Sequence, residues 1–102
     1  MDYTNYIDKK VIIRSYGAGV FYGTLKAKEG TEVELADCRR IWKWDGAASL
    51  SELAISGVAY PAGCKFSVSV PSIIITGVLE VIPTSEKASK NIESVPVWKI
   101  SK

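Results

Sequence analysis

Glu32-Val33-Glu34-Leu35-Ala36-Asp37-Cys38-Arg39-Arg40-Ile41-Trp42-Lys43-Trp44 is the stretch on which the fold turns. Val33 and Leu35 are apolar at odd positions, whereas Cys38, Trp42 and Trp44 continue the bulky series at even ones. In an unbroken strand that change of phase puts the two sets on opposite faces. One extra residue near Ala36-Asp37, a β-bulge, returns Val33, Leu35, Cys38, Arg40, Trp42 and Trp44 to one side. Bulges re-aim side chains next to sites, so the same device gathers an arginine and two tryptophans on one face.

On the N-terminal side, Val11-Ile12-Ile13-Arg14 is a β-branched run that reads as a strand. Ser15-Tyr16-Gly17-Ala18-Gly19 then leads to a second strand, Val20-Phe21-Tyr22-Gly23-Thr24-Leu25, as a hairpin or a glycine-kinked pair. Lys28-Glu29-Gly30 turns the chain into the third strand.

On the C-terminal side, Asp45-Gly46 ends the strand and Ser49-Leu50-Ser51-Glu52 matches a capping box, predicting a short helix from Leu50 to Ser56 stopped by Gly57. Tyr60-Pro61-Ala62-Gly63 reads as a loop. Phe66, Val68 and Val70 alternate with serines as a fourth strand, and Ile73 to Ile82 forms a fifth, largely buried one interrupted at Thr76-Gly77. After Pro83, Thr84 to Asn91 reads as a capped surface helix or tail, followed by Val97-Trp98-Lys99-Ile100 with its period-two alternation. The expectation is an α+β fold, a small, mainly antiparallel curved sheet with one or two short helices. It is one domain over residues 1–102, with its core in about 11–83 and a C-terminal extension over about 84–102. Uncovered strand edges and the apolar Val97–Ile100 segment point to a homo-oligomer, a dimer or tetramer.

Composition narrows the function. Hydrophobic residues at 47% and charged residues at 24% describe a chain that folds rather than a disordered or repetitive one. Lys plus Arg at 13 against Asp plus Glu at 11 leaves +2, with no basic block of the kind that wraps duplex nucleic acid. The complete lack of histidine removes Ser/His/Asp and Cys/His triads, His-ligated zinc and His acid–base catalysis. Two cysteines, Cys38 and Cys64, form neither a CxxC pair nor a disulfide framework and read as reduced and packed. No basic leader precedes an apolar core and no run approaches ~18 apolar residues, so a soluble intracellular protein, with no membrane partner, is expected.

In Arg39-Arg40-Ile41-Trp42-Lys43-Trp44, guanidinium, indole and ammonium groups alternate within one strand. Arginine forks match phosphate oxygens and tryptophan faces stack on bases, which suits a small phosphorylated aromatic ligand. The plainer alternative puts Trp42 and Trp44 in the core with Arg40 between them, paired to Asp37 or Glu52. Arg14, Tyr16, Gly17 and Gly19 form a second candidate, a strand end whose glycine amides can approach a phosphate, against the alternative of a kinked hairpin. Asp37, Asp45 and Glu52 read as ion-pair partners rather than acid–base catalysts, and Cys38 lacks a histidine base. No catalytic residue, metal ligand or cofactor is expected.

The segments Arg14-Ser15-Tyr16-Gly17-Ala18-Gly19-Val20 and Ala36 through Ala54, the latter carrying the arginine–tryptophan run into Gly46-Ala47-Ala48-Ser49-Leu50, resemble a family of small bacteriophage proteins of unknown function, with the likeness running from Val11 through Pro83. Some phage proteins of this size are sponges, oligomers that sequester cyclic-nucleotide messengers of bacterial immunity, such as cyclic GMP–AMP, without cleaving them. The resemblance therefore implies an immune-evasion (anti-CBASS) role in the cytoplasm of the infected host. It says nothing about which residues touch the ligand. A sponge needs stacking platforms and arginines and no general base, which the composition independently allows. Two other functions remain open: a protein-binding inhibitor using Trp42, Trp44, Tyr22 and Trp98 as interface anchors, or a single-strand nucleic-acid module.

Overall fold

The computed structural model describes residues 1–99, so Ile100, the end of the expected apolar C-terminal segment, lies outside the described residues. Six strands and two helices follow one another: β1 Lys10–Ser15, β2 Gly19–Glu29, β3 Glu32–Lys43, α1 Leu50–Ser56, β4 Lys65–Phe66, β5 Val70–Ile75, β6 Val78–Pro83 and α2 Glu86–Ser94. Every ladder is antiparallel, in the order β4-β3-β2-β1-β6, with β5 also on β3. The twelve-residue β3 organises the sheet, because its outer edge pairs with β5 along Val33 to Cys38 and with β4 at Ile41 and Lys43.

β5 and β6 stand at opposite ends of that order, yet only Thr76 and Gly77 separate them. The sheet must therefore curl until the Ile75 end of β5 reaches the Val78 start of β6, although the two strands do not pair. Two main-chain bonds hold the link, Tyr16 N–H donating to Gly77 O at 2.8 Å and Val78 N–H to Thr31 O at 2.9 Å. Curling gives the sheet an inside, filled by Val11, Ile13, Phe21, Leu25, Val33, Leu35 and Ile75, and an outside covered by the helices. Ile12, Tyr22 and Ile41 point outward against Leu53 and Ala54 of α1 and Ala88 and Ile92 of α2. β1 is thus buried on both faces, which is why Val11-Ile12-Ile13 is apolar without alternation.

α1 starts and stops where its caps require. Glu52 N–H donates to Ser49 Oγ at 3.2 Å, and the Glu52 carboxylate reaches back to the amide of Ala48, one residue short of the Ser49 amide that the capping box predicts. α2 is capped by Ser85 Oγ and docked by Asn91, which bonds both the N–H and the C=O of Val58.

Three expectations need correction. The fourth strand does not run from Phe66 to Val70, because Ser67 to Ser69 leave the ladder between β4 and β5. Ile73 to Ile82 is two strands broken at Thr76-Gly77, and β5 is mostly exposed with Ile74 open to solvent, since one of its faces has no covering layer. The segment after Pro83 is not a surface appendage: Ala88, Ile92 and Val95 are fully packed core, and Val97 bridges to Phe66 in parallel within the same chain. That bridge occupies a segment that the sequence offers for pairing between subunits.

Candidate functional site

The bulge is where the sequence places it. Tyr22 opposes Arg39 and Thr24 opposes Ala36, so two steps along β2 meet three along β3. Asp37 absorbs the extra residue at φ +51°, in the left-handed region that Asp tolerates. Gly23 faces the bulge, and a Cβ there would lie 3.0 Å from Ala36 O and 3.2 Å from Cys38 Cα. Glycine thus lets the two backbones approach closely, where any Cβ would crowd the bulge.

Beyond the bulge, Cys38 joins Val33 and Leu35 on the inner face, and Arg40 and Trp42 follow it to the open end of the curled sheet. There Phe21, Cys38, Arg40, Trp42, Ser67, Val68, Val70 and Ile73 line a cleft of about 220 Å³. The Arg40 guanidinium sits 4.9 Å from the centre of the Phe21 ring and forms no ion pair among the described residues. Trp42 is 54% exposed, its indole a cleft wall with a free face. Burial pushes the Cys38 thiol up to about 11 despite the opposing charge of Arg40, so at neutral pH it is a protonated, unreactive floor.

The neighbouring residues go elsewhere. Arg39 points to the helix side and is only 6% exposed. Its Nε donates to Ser67 O and its Nη1 to Ile92 O, each at 2.8 Å, clamping the β4–β5 connection to α2. Nη2 has no partner, and burial lowers the pKa of the group from the ordinary arginine value. Trp44 also leaves the series, because the register shift between Ile41 and Lys43 puts it in phase with Ile41 and the indole packs against the helix-side core. Tyr22, an interface anchor in the inhibitor alternative, is buried with its hydroxyl donating to the Glu93 carboxylate.

The Arg14 to Gly19 segment does not reach the cleft. Arg14 Nε binds Glu80 Oε1 at 2.6 Å across the β1–β6 ladder. Tyr16 is 83% exposed. Gly17 and Gly19 have φ of +83° and +103° with nothing near an added Cβ, so they are glycines because the hairpin turns there. The structure thus brings together Arg40 and Trp42 and separates them from Arg14, Tyr16, Gly17, Gly19, Arg39 and Trp44.

It also adds residues absent from the expected binding set. Trp98 lies edge-on to Trp42, ring centres 5.7 Å apart at 68°, and Lys65 Nζ stands 5.0 Å from the centre of Trp98. Lys65 is directly opposite Lys43 in the β3–β4 ladder. No local pattern announces these contacts, since they join positions 42, 65 and 98 through the fold. Among the described residues no group of three His, Cys, Asp or Glu could hold a metal ion, and no helix is long and apolar enough to cross a membrane.

Fold and cleft together define a small α+β protein with an apolar, aromatic cleft carrying one unpaired cation. Residues 8–92 match the family described as "Domain of unknown function (DUF6948)", and the chain belongs to that family. No curated protein matches the sequence.

Proposed function

We propose that this protein is a non-catalytic binder of nucleotides and that it acts as a phage sponge, sequestering cyclic dinucleotides of the cyclic GMP–AMP kind in the cytoplasm of an infected bacterium. One observation carries the proposal: Arg40 and Trp42 meet at one cleft, and no carboxylate lines it. A base stacks on the open face of Trp42 while a phosphate meets the free fork of Arg40, the division of labour seen wherever aromatic platforms and guanidinium groups share a nucleotide. The cleft, at about 220 Å³, lies below the ~300–1,000 Å³ of pockets that enclose a drug-sized ligand, so it takes one base-sized half and leaves the rest on the adjoining surface.

A second copy of the chain completing that surface fits this shortfall. From Phe66 to Leu79 there is no charged residue, and β5 pairs with β3 alone, so its outer edge carries nothing that repels a copy of itself. The protein-inhibitor alternative is favoured by one observation, the exposed apolar group of Trp42, Trp98, Val68 and Val97.

Calorimetric titration with a panel of cyclic dinucleotides, followed by heat release and chromatography, tests the proposal. Binding with recovery of unchanged ligand is the expected result. A linearised or hydrolysed product would make the protein an enzyme, and no binding up to roughly 1 mM, about −4.1 kcal/mol, would end the nucleotide assignment.

A further inference from the structure

Lys43 and Lys65 are directly opposed in an antiparallel ladder, where opposed side chains point to the same face and lie closest together. Two like charges directly opposite each other on a sheet repel and destabilise the pairing. Here neither ammonium has a carboxylate within ion-pair distance among the described residues. Asp45, the acid nearest in sequence, packs its carboxylate on Gly63 instead. Ile41 and Trp44 both pack on the helix-side core, so the register shift between Ile41 and Lys43 changes the phase of the strand and turns Trp42 and Lys43 together toward the opposite side, where Lys65 pairs with Lys43. Lys65 stands on Trp98, which stands edge-on to Trp42. The lysine pair is therefore contiguous with the cleft wall and on the same side of the sheet.

From this placement we infer that Lys43 and Lys65 form a phosphate subsite adjoining the cleft, taking a phosphate group of the ligand whose base lies against Trp42. The inference deepens the nucleotide-binding proposal and rests on it for the identity of the ligand. A cyclic dinucleotide carries two phosphates, and this surface offers two separate cationic positions, the guanidinium of Arg40 and the paired ammonium groups. Lysine ammoniums are point charges that rotate freely, so two of them can close on one phosphate without the fixed geometry an arginine fork demands. Binding removes the repulsion between them, so the anion gains from both charges at once.

The test uses pyrophosphate and a cyclic dinucleotide with the parent, Lys43→Gln, Lys65→Gln and, as a control for net charge, Lys87→Gln, an exposed α2 lysine without an ion pair. Both test lysines are exposed, so the variants fold, which the melting curves without ligand verify. Pyrophosphate should raise the melting temperature of the parent and of Lys87→Gln but not of the two test variants. Dinucleotide affinity should fall about tenfold in each, while affinity for the unphosphorylated nucleoside stays unchanged. If pyrophosphate stabilises Lys43→Gln and Lys65→Gln as it does the parent, or all three variants lose affinity equally, the subsite is refuted. Pyrophosphate binding through the lysines with no nucleotide bound would instead refute the function proposed above and leave the subsite standing.

Discussion

Replacing each of the two adjacent arginines by methionine should give opposite phenotypes. Arg39→Met removes two charge-assisted bonds and strands the carbonyls of Ser67 and Ile92, and it also withdraws a guanidinium lying 5.3 Å from the Phe66 ring. Each lost bond to a charged donor is worth about 1.5–3 kcal/mol, partly offset because the buried charge and its orphaned Nη2 are no longer desolvated. A net loss of about 2–4 kcal/mol follows, or roughly 8–30 °C in melting temperature for a domain of this size. Arg40→Met gives up only an exposed cation–π contact with Phe21, about 0.5–1 kcal/mol, so its melting temperature should move by less than roughly 8 °C. Its cost falls on the ligand: a charge-assisted phosphate bond of about 1.5–3 kcal/mol is roughly ten- to a hundredfold in Kd. Differential scanning fluorimetry and titration calorimetry read the two arms separately. An Arg39→Met variant that melts with the parent, or that keeps its fold and loses ligand as Arg40→Met does, would refute the assignment of Arg39 to the scaffold and Arg40 to the cleft.

The two tryptophans should separate in the same way. Trp42→Leu removes a stacking face worth about 1–3 kcal/mol of binding with little change in stability, whereas Trp44→Leu costs about 1–3 kcal/mol of folding and leaves the affinity of the folded fraction alone, as calorimetry and urea titration will show. Gly23→Val drives a side chain into the backbone of the bulge and should lose roughly 1–3 kcal/mol or more in urea unfolding together with the cleft geometry. Burial alone would raise the pKa of Glu93, but hydrogen bonds from Lys10 and Tyr22 and the charge of Lys10 outweigh it and hold the carboxyl below its usual value. Because the folded pKa is the lower one, Glu93 stabilises the fold above the unfolded value of about 4.5, and that contribution disappears as pH falls through the folded pKa. Urea midpoints measured from pH 6 down to 3 should therefore fall less steeply in Glu93→Gln than in the parent.

Sequence by itself determined the parts of this protein that depend on neighbours along the chain. The apolar run Val11-Ile12-Ile13, the phase change between Leu35 and Cys38, the cap at Ser49 and the stop at Gly57 each act within a few residues, so strand, bulge and helix were legible from residue order alone. The pairing of Arg40 with Trp42 was legible for the same reason, since residues two apart along a strand share a face wherever the strand lies. Tertiary structure decided the rest. Whether an arginine is scaffold or site depends on what stands opposite it: Arg39 meets carbonyls from Ser67 and Ile92, Arg14 meets Glu80, and Arg40 meets no acid. Trp44 left the cleft because the register shift between Ile41 and Lys43 puts it in phase with Ile41 on the helix side, and Trp98 and Lys65 came to adjoin the cleft wall because β4 and the Val97 bridge bring distant segments beside Trp42. Hydrophobic periodicity specifies which face a side chain takes, but burial and charge compensation are set by partners tens of residues away, and only the curled sheet brings those partners into contact.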